Sequence, residues 1–367
     1  MEGQKKKKRA GGMVLAAAVL GAASLLLLFA AQENRAFADW YSEHVYVLLV
    51  GSIGRITGLF PFSVAEMGLY ILLVWLAGRT VWLAAGSWRK KRGFADWRLF
   101  GGKVLLLAGV LFFLYAVCCG VNYGRTSFAE SSGLGTVSYS VEELKALCTE
   151  LTERVNALSG QVSRNSRGTA EMGENVEERA ADAMKNLNEV YEGFSGYYPR
   201  PKKLLLSQIL SYQKLSGIYS PFTVEANING DMAEYNLPFT ACHELSHLRG
   251  FMQEEEANFI GFLACIRTDD TALQYSGYLT GWIYATNQLY RVDYEGYREL
   301  YDSLTPEALA DLKENREFWR SYDGAVAEVS NQVNDSYLRA NGQEEGVESY
   351  DRMVDLMMAY QKKEDGV

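Results

Sequence analysis

Apolar and polar positions are spread unevenly along this 367-residue chain. Three long apolar runs lie before residue 123, at 11–31, 64–85 and 104–121, and no comparable run follows. Each is close to the roughly 20 residues that a helix needs to cross a hydrocarbon core. The pattern therefore predicts three transmembrane helices. The second run carries Glu66 near one end and Arg79 inside it, and the arginine must snorkel or face a partner helix. The stretch between the first two runs, "EHVYVLLVGSIGRITGLFPF", is too interrupted by Gly, Arg and Pro to span and is expected to lie at the interface as an amphipathic segment. A cleavable signal peptide competes for the first run, with "AFA" at 36–38 as its cleavage site.

Beyond residue 123 the pattern changes. "SVEELKALCTELTERVNALSGQV" repeats apolar residues at helical spacing behind a Ser140 cap, and a second amphipathic helix is expected to run to about Val190. Pro199 and Pro201 interrupt it. "GIYSPFTVEANIN" joins turn residues to a short β-like run, and helices resume at Pro238 and continue to a polar, frayed C-terminus. The expected organisation is a membrane anchor over 1–122 and a mainly α (α+β) domain with a small sheet over 123–367.

Charge decides which side of the membrane that domain occupies. Residues 1–122 hold 14 Lys/Arg and 6 Asp/Glu, and the remainder holds 22 and 39. The basic residues cluster in the N-terminal tail (Lys5 to Lys8 and Arg9) and in the 89–103 loop, whereas the loop between the first two runs is balanced. Positive residues mark cytoplasmic loops. The tail and second loop are therefore expected inside, and residues 123–367 outside, as an extracytoplasmic domain. The acidic balance of that domain argues against nucleic acid as a partner. Its three cysteines (Cys148, Cys242 and Cys265) show no CxxC spacing, so neither a disulfide framework nor a thiolate zinc site is expected. They read as small buried hydrophobes.

The candidate chemistry lies in "HELSHLRGFMQEEEANF", residues 243–259, which holds two of the three histidines in the chain. On a helix, i and i+4 share a face, so His243 and His247 can both reach one zinc ion. Glu244 lies beside the ion rather than on it, where a carboxylate can act as the general base. A catalytic zinc takes three protein ligands, and no further histidine follows, so the third is expected to be a carboxylate. Gly250 suits the left-handed turn after a helix end, and a new helix is expected from "EEEANFIGFLACIRTD". Along it Glu254, Asn258, Gly261 and Cys265 share a face. Glu254 is therefore the expected third ligand and Asn258 the expected holder of a histidine ring nitrogen. Glu256 should point nearly the opposite way and Glu255 in between, although a helix displaced by two residues would bring Glu256 to the metal instead.

The stretch "YPRPK…SGIYSPFTVEANIN…CHELSHLRGFMQEEEANF" resembles a bacterial family of uncharacterised, membrane-anchored HExxH proteins known only as a domain of unknown function. More broadly it is similar to the zincin metallopeptidases whose third ligand is a glutamate in an E-x-x-x-D pattern, read here from Glu254 to Asn258 with Asn in place of Asp. Gln253 stands where a metzincin would carry its last histidine, and there is no Met-turn. The resemblance implies a zincin-like fold in which an extended strand before the active helix lines the substrate cleft, and "SPFTVEANIN" is the expected strand. Tyr219, Tyr275 and Tyr278 are the candidate oxyanion donors.

The expected function is zinc-dependent hydrolysis of peptide or protein substrates in the cell envelope, by a multi-pass protein of the bacterial cell membrane. The rival is an envelope sensor or scaffold with a metal site and no general peptidase activity. Glu244 weighs against it, since ligation does not require that carboxylate.

Overall fold

The three apolar runs all form helices, each longer than its run. In the computed structural model, which describes residues 2–135, 137–341, 343 and 352–364, they occupy Glu2–Glu33, Val64–Trp88 and Phe94–Cys118. All three are long and apolar enough to cross a membrane. The third begins where Asp96 accepts a hydrogen bond from the Gly93 N–H, and the same carboxylate pairs with Lys6 at 3.0 Å. The basic tail and the start of the third helix thus share one end of the bundle.

The first and third helices pack through small residues at seven-residue spacing. Ala10, Ala17, Ser24 and Ala31 face Gly102, Gly109 and Ala116, and all are buried. A Cβ added to Gly109 would stand 3.0 Å from the Ala17 Cα. Such close backbone approach is how helices associate where no hydrophobic force drives them together. The second helix leaves most of its apolar surface uncovered, including Leu69, Ile71 and Val74.

The stretch expected to be merely interfacial is helical and enters the core of the larger part. Residues 35–58 run as one helical rod with π-helical stretches at Ser42–Tyr46 and Val50–Gly54. Ala38, Tyr41, Tyr46 and Val50 are buried on one side, while Leu48 and Ile56 stay exposed on the other.

After residue 124 the chain forms a helical body around a small sheet. Ser140 and Glu143 close a reciprocal cap on Val141–Ser159, which packs along Thr271–Val292. Asn236–Leu248 lies at the centre, against the sheet, Val176–Asn186 and Glu254–Ile266. The sheet has three strands, β1 (Lys202–Lys203), β2 (Gly217–Ser220) and β3 (Glu225–Ile228), in the order β1-β3-β2. β3 pairs parallel with β1 and antiparallel with β2. The frayed C-terminus expected from the sequence is not what forms over Met353–Glu364. That helix buries Met353, Val354, Leu356, Met357 and Met358 against Glu254–Ile266, Thr271–Val292 and Val141–Ser159, because its run from Leu356 to Ala359 is apolar on more than one side. All five cysteines are free and buried.

Two carboxylates join the membrane-proximal helices to the body. Glu225, on β3, accepts from the backbone N–H groups of Val64 and Ala65 at 3.1 and 2.8 Å, at the start of the second apolar helix. Glu66, in that helix's first turn, accepts from Leu205 and Leu206 N–H at 2.9 Å each. Glu225 is also paired with the buried Lys202, whose ammonium donates to the Thr57 carbonyl at 2.7 Å.

Candidate metal centre

The helix carrying the H-E-x-x-H sequence is fixed at both ends. At its start, the Phe239 N–H donates to the Ser276 hydroxyl at 3.1 Å. At its end Gly250 takes a left-handed φ of 92°, as expected of a residue that stops a helix and turns the chain. Arg125 holds that turn, donating to the Arg249 carbonyl at 3.2 Å and stacking over the Phe251 ring.

The next helix starts at Glu254, and its phase is the one the sequence predicts. Gly261 approaches the His243 backbone so closely that a Cβ would stand 3.2 Å from His243 N, and Cys265 Sγ lies 3.9 Å from Cys242 Sγ. This close face brings Glu254 to the histidines. His243 Nε2 and His247 Nε2 are 3.1 Å apart, and the Glu254 oxygens lie 3.3 Å from the first and 3.6 Å from the second. Glu254 takes this place alone among the three consecutive acids. Glu256 is buried on another side, accepting from the Ala129 N–H at 2.9 Å at the start of the short helix Phe128–Ser131. Glu255 meets the Gln343 amide at 3.4 Å, and burial pushes its carboxyl up to about 7.

The donor set fits a metal. Ligands at about 2.0–2.1 Å around a tetrahedral ion stand about 3.3 Å from one another, close to the 3.1 Å between the two Nε2 atoms and the 3.3 Å from His243 Nε2 to Glu254 Oε2. The side chains of His243, His247 and Glu254 remain 12, 10 and 14% exposed, so the cluster is recessed but not sealed. Its electrostatics favour a cation. Burial opposes the charged form of His247, yet the Glu254 carboxylate outweighs it and raises the imidazole to about 9. Burial likewise works against ionised Glu254, and the two histidines reverse this, holding its carboxyl well below the usual range. The far nitrogen of His247 is fixed at 2.9 Å from the Phe251 carbonyl, which sets its tautomer and leaves Nε2 free to bind.

Asn258 is buried on the expected face, but no hydrogen bond joins it to a histidine ring among the described residues. Its Nδ2 and His243 Nδ1 both lack a partner. The carbonyl that holds His247 comes from Phe251, four residues on in the connecting turn.

Glu244 stands beside the cluster and is buried, which pushes its carboxyl up to about 7, with the Tyr219 backbone N–H and the histidines pulling the other way. Its Oε2 has no hydrogen-bond partner. Gly217 makes room for it, since a Cβ there would collide with Glu244 Oε1.

A model of a family described as "Protein of unknown function (DUF3810)" matches residues 41–358. The chain belongs to the DUF3810 family. No curated protein and no solved structure matches it.

Two sequence expectations are corrected in this DUF3810 chain. The strand Glu225–Ile228, expected to line the substrate cleft, is central and paired on both sides, so it has no free edge for a peptide. The edge strand beside Glu244 is β2, where the Asn229 N–H to Ser216 carbonyl bond (2.8 Å) and the register turn Gly217 and Tyr219 backbone groups outward. The candidate oxyanion tyrosines are also engaged elsewhere. Tyr219 donates to the Cys118 carbonyl at 2.9 Å, Tyr275 donates to Asp311 at 2.5 Å, and Tyr278 packs on Phe262 and Arg154. Tyr123 and Tyr337 form a separate group: their hydroxyls are 3.4 Å apart, and Tyr337 is 3.7 Å from Cys119 Sγ, itself 3.7 Å from Met252 Sδ. Only the folded chain brings those four residues together.

Proposed function

We propose that this chain is a membrane-anchored, zinc-dependent peptidase whose larger part works on the outer face of the cytoplasmic membrane. The observation that carries the reading is the His243 and His247 Nε2 pair, 3.1 Å apart, with Glu254 Oε2 3.3 Å from the first and Oε1 3.6 Å from the second, and the buried Glu244 carboxyl beside them. Zn²⁺ held there would polarise a scissile carbonyl and bring the pKa of water toward neutrality. Glu244 is buried beside the cluster and its Oε2 has no hydrogen-bond partner, so Oε2 can take a proton from the attacking water and pass it to the leaving amine nitrogen. The outward backbone groups of Gly217 and the Tyr219 carbonyl offer an extended peptide an edge to pair with, beside the Tyr219 N–H that faces Glu244, placing its carbonyl by addition to the sheet. The shared end of Lys6 and Asp96 puts the basic tail and the 89–103 loop together, away from the metal cluster, which supports the outward orientation.

The test is zinc content and cleavage of a mixed peptide library by the full-length protein in detergent. Glu244→Gln should keep zinc and lose about 10²- to 10⁴-fold in rate, and His243→Ala should lose both metal and rate. Undiminished cleavage by Glu244→Gln would sink the reading, and an inert wild type with bound zinc would favour the scaffold.

A further inference from the structure

The candidate cleft is sunk to the level of the apolar helices instead of standing above them. The turn after the third helix climbs along the end of the first: Gly120 meets Leu28, and Gly124 meets Ala31, the last residue of the first apolar run. Cys118 comes before that turn, so it lies at least one helical turn, about 5 Å, below the end of the first run. Yet the body of the protein bonds directly to that depth. Tyr219 of the edge strand donates to the Cys118 carbonyl at 2.9 Å, and Tyr41 donates to the Val117 carbonyl at 2.8 Å. The strand that lies against Glu244 therefore reaches the span's last turn through its Tyr219 side chain.

Two exposed apolar surfaces flank it. The helix Ala325–Ala340 touches the third span, with the Tyr337 ring edge-on to Tyr115 and the Tyr115 hydroxyl donating to Asn341. Val326, Val329 and Val333 share the face of Tyr337 at helical spacing and are 56, 59 and 64% exposed. Around the start of the second span, Ile56, Leu59, Leu205, Leu206, Ile209 and Phe222 are exposed as well. Glu66 and Glu225 bond that region to the span itself, so this surface is continuous with one that lipid covers. Contiguous apolar surface of this kind marks a place where water is not the solvent.

We propose that the outer leaflet covers these surfaces, and that the cleft takes polypeptides anchored in the same bilayer, cutting a peptide bond within a few residues of their membrane span. This rests on the peptidase reading above. The reaction is amide hydrolysis: the C–N bond breaks, water gives its hydroxyl to the acyl carbon, and a proton goes to the amine. A cleft at this depth meets a substrate's chain as it leaves the bilayer, already held close and extended.

The full-length protein, loaded with zinc in vesicles of phosphatidylethanolamine and phosphatidylglycerol, would be given single-span peptides with randomised sequence over about 25 residues outside the span, and the same random sequences as soluble peptides. Five extended residues reach about 17 Å, so cuts should cluster within about that many residues of the span. The soluble set should be cut at least about tenfold more slowly at equal concentration, because sharing a bilayer raises effective concentration. Cuts spread evenly along the random segment, or equal rates for both sets, would overturn the proposal. A nitroxide at Ile209→Cys and another at Val329→Cys should be more accessible to oxygen than to a water-soluble nickel complex, and the reverse would overturn it too. No cleavage in either set, with both nitroxides in lipid, defeats the peptidase reading and with it the substrate class.

Discussion

Glu254 and Glu256 stand two residues apart on one helix and turn their carboxylates to different partners, the first to a pair of histidines and the second to the backbone of a neighbouring helix start. A helix rotates each residue by about 100°, so a spacing of two reverses direction. Neither role can pass to the other acid without unwinding the first turn.

The two substitutions should therefore separate. Glu254→Ala is expected to abolish zinc binding, measured by titration with a chelating dye. Glu256→Ala should bind zinc as the wild type does while losing about 1–3 kcal/mol of stability, the cost of leaving the Ala129 N–H without its acceptor. Tight zinc binding by Glu254→Ala would show that the third ligand is misassigned.

Gly217→Ala tests the contact between the edge strand and Glu244. The added methyl would overlap Glu244 Oε1, Cδ and Cγ, so the whole buried side chain must swing aside while the strand keeps its pairing. A displacement of about 1 Å at the reacting groups can cost about 10²-fold in rate. The expected variant keeps its zinc and its melting temperature but loses kcat. Full activity would mean that Glu244 does not work from this position.

Glu225→Gln probes the join between sheet and span. It leaves the Lys202 ammonium buried without its counter-charge, and breaking such a pair costs about 3–5 kcal/mol. Denaturant unfolding of the protein in detergent should show that loss, and a change under about 1 kcal/mol would contradict the buried pairing.

Orientation can be read with reporters fused after residues 95 and 130. The first should report cytoplasm and the second the outside, following the basic residues. A cytoplasmic signal at residue 130 would reverse the assignment.

The cluster of His243, His247 and Glu254 was legible in the sequence because its geometry is local. His243 and His247 share one helix, and Gly250 tells where that helix stops and so where the phase of Glu254 begins. The tyrosines were not legible, because their partners are remote: Tyr219 reaches Cys118, and Tyr275 reaches Asp311. The edge strand was missed for another reason. "SGIYS" reads as a turn, and only its pairing with Glu225–Ile228 makes Gly217–Ser220 a strand. The helix Met353–Glu364 hides its apolar residues among charges, and its burial depends on a neighbour nearly 100 residues earlier in the chain.

The crossed carboxylates, Glu225 of β3 bonded to the second span and Glu66 of that span bonded to the body, change what the anchor is. Each half of the protein finishes the other's helix ends, so neither has a complete set of hydrogen bonds alone. A chain cut at residue 123 would expose Lys202 and Glu225 without the Thr57 carbonyl and the Val64 and Ala65 amides, and would strip Tyr41, Tyr46 and Val50 from its core. Such a fragment is expected to aggregate on expression. Shedding from the membrane would then inactivate the protein instead of releasing a working domain, which confines whatever it does to the surface where it was inserted.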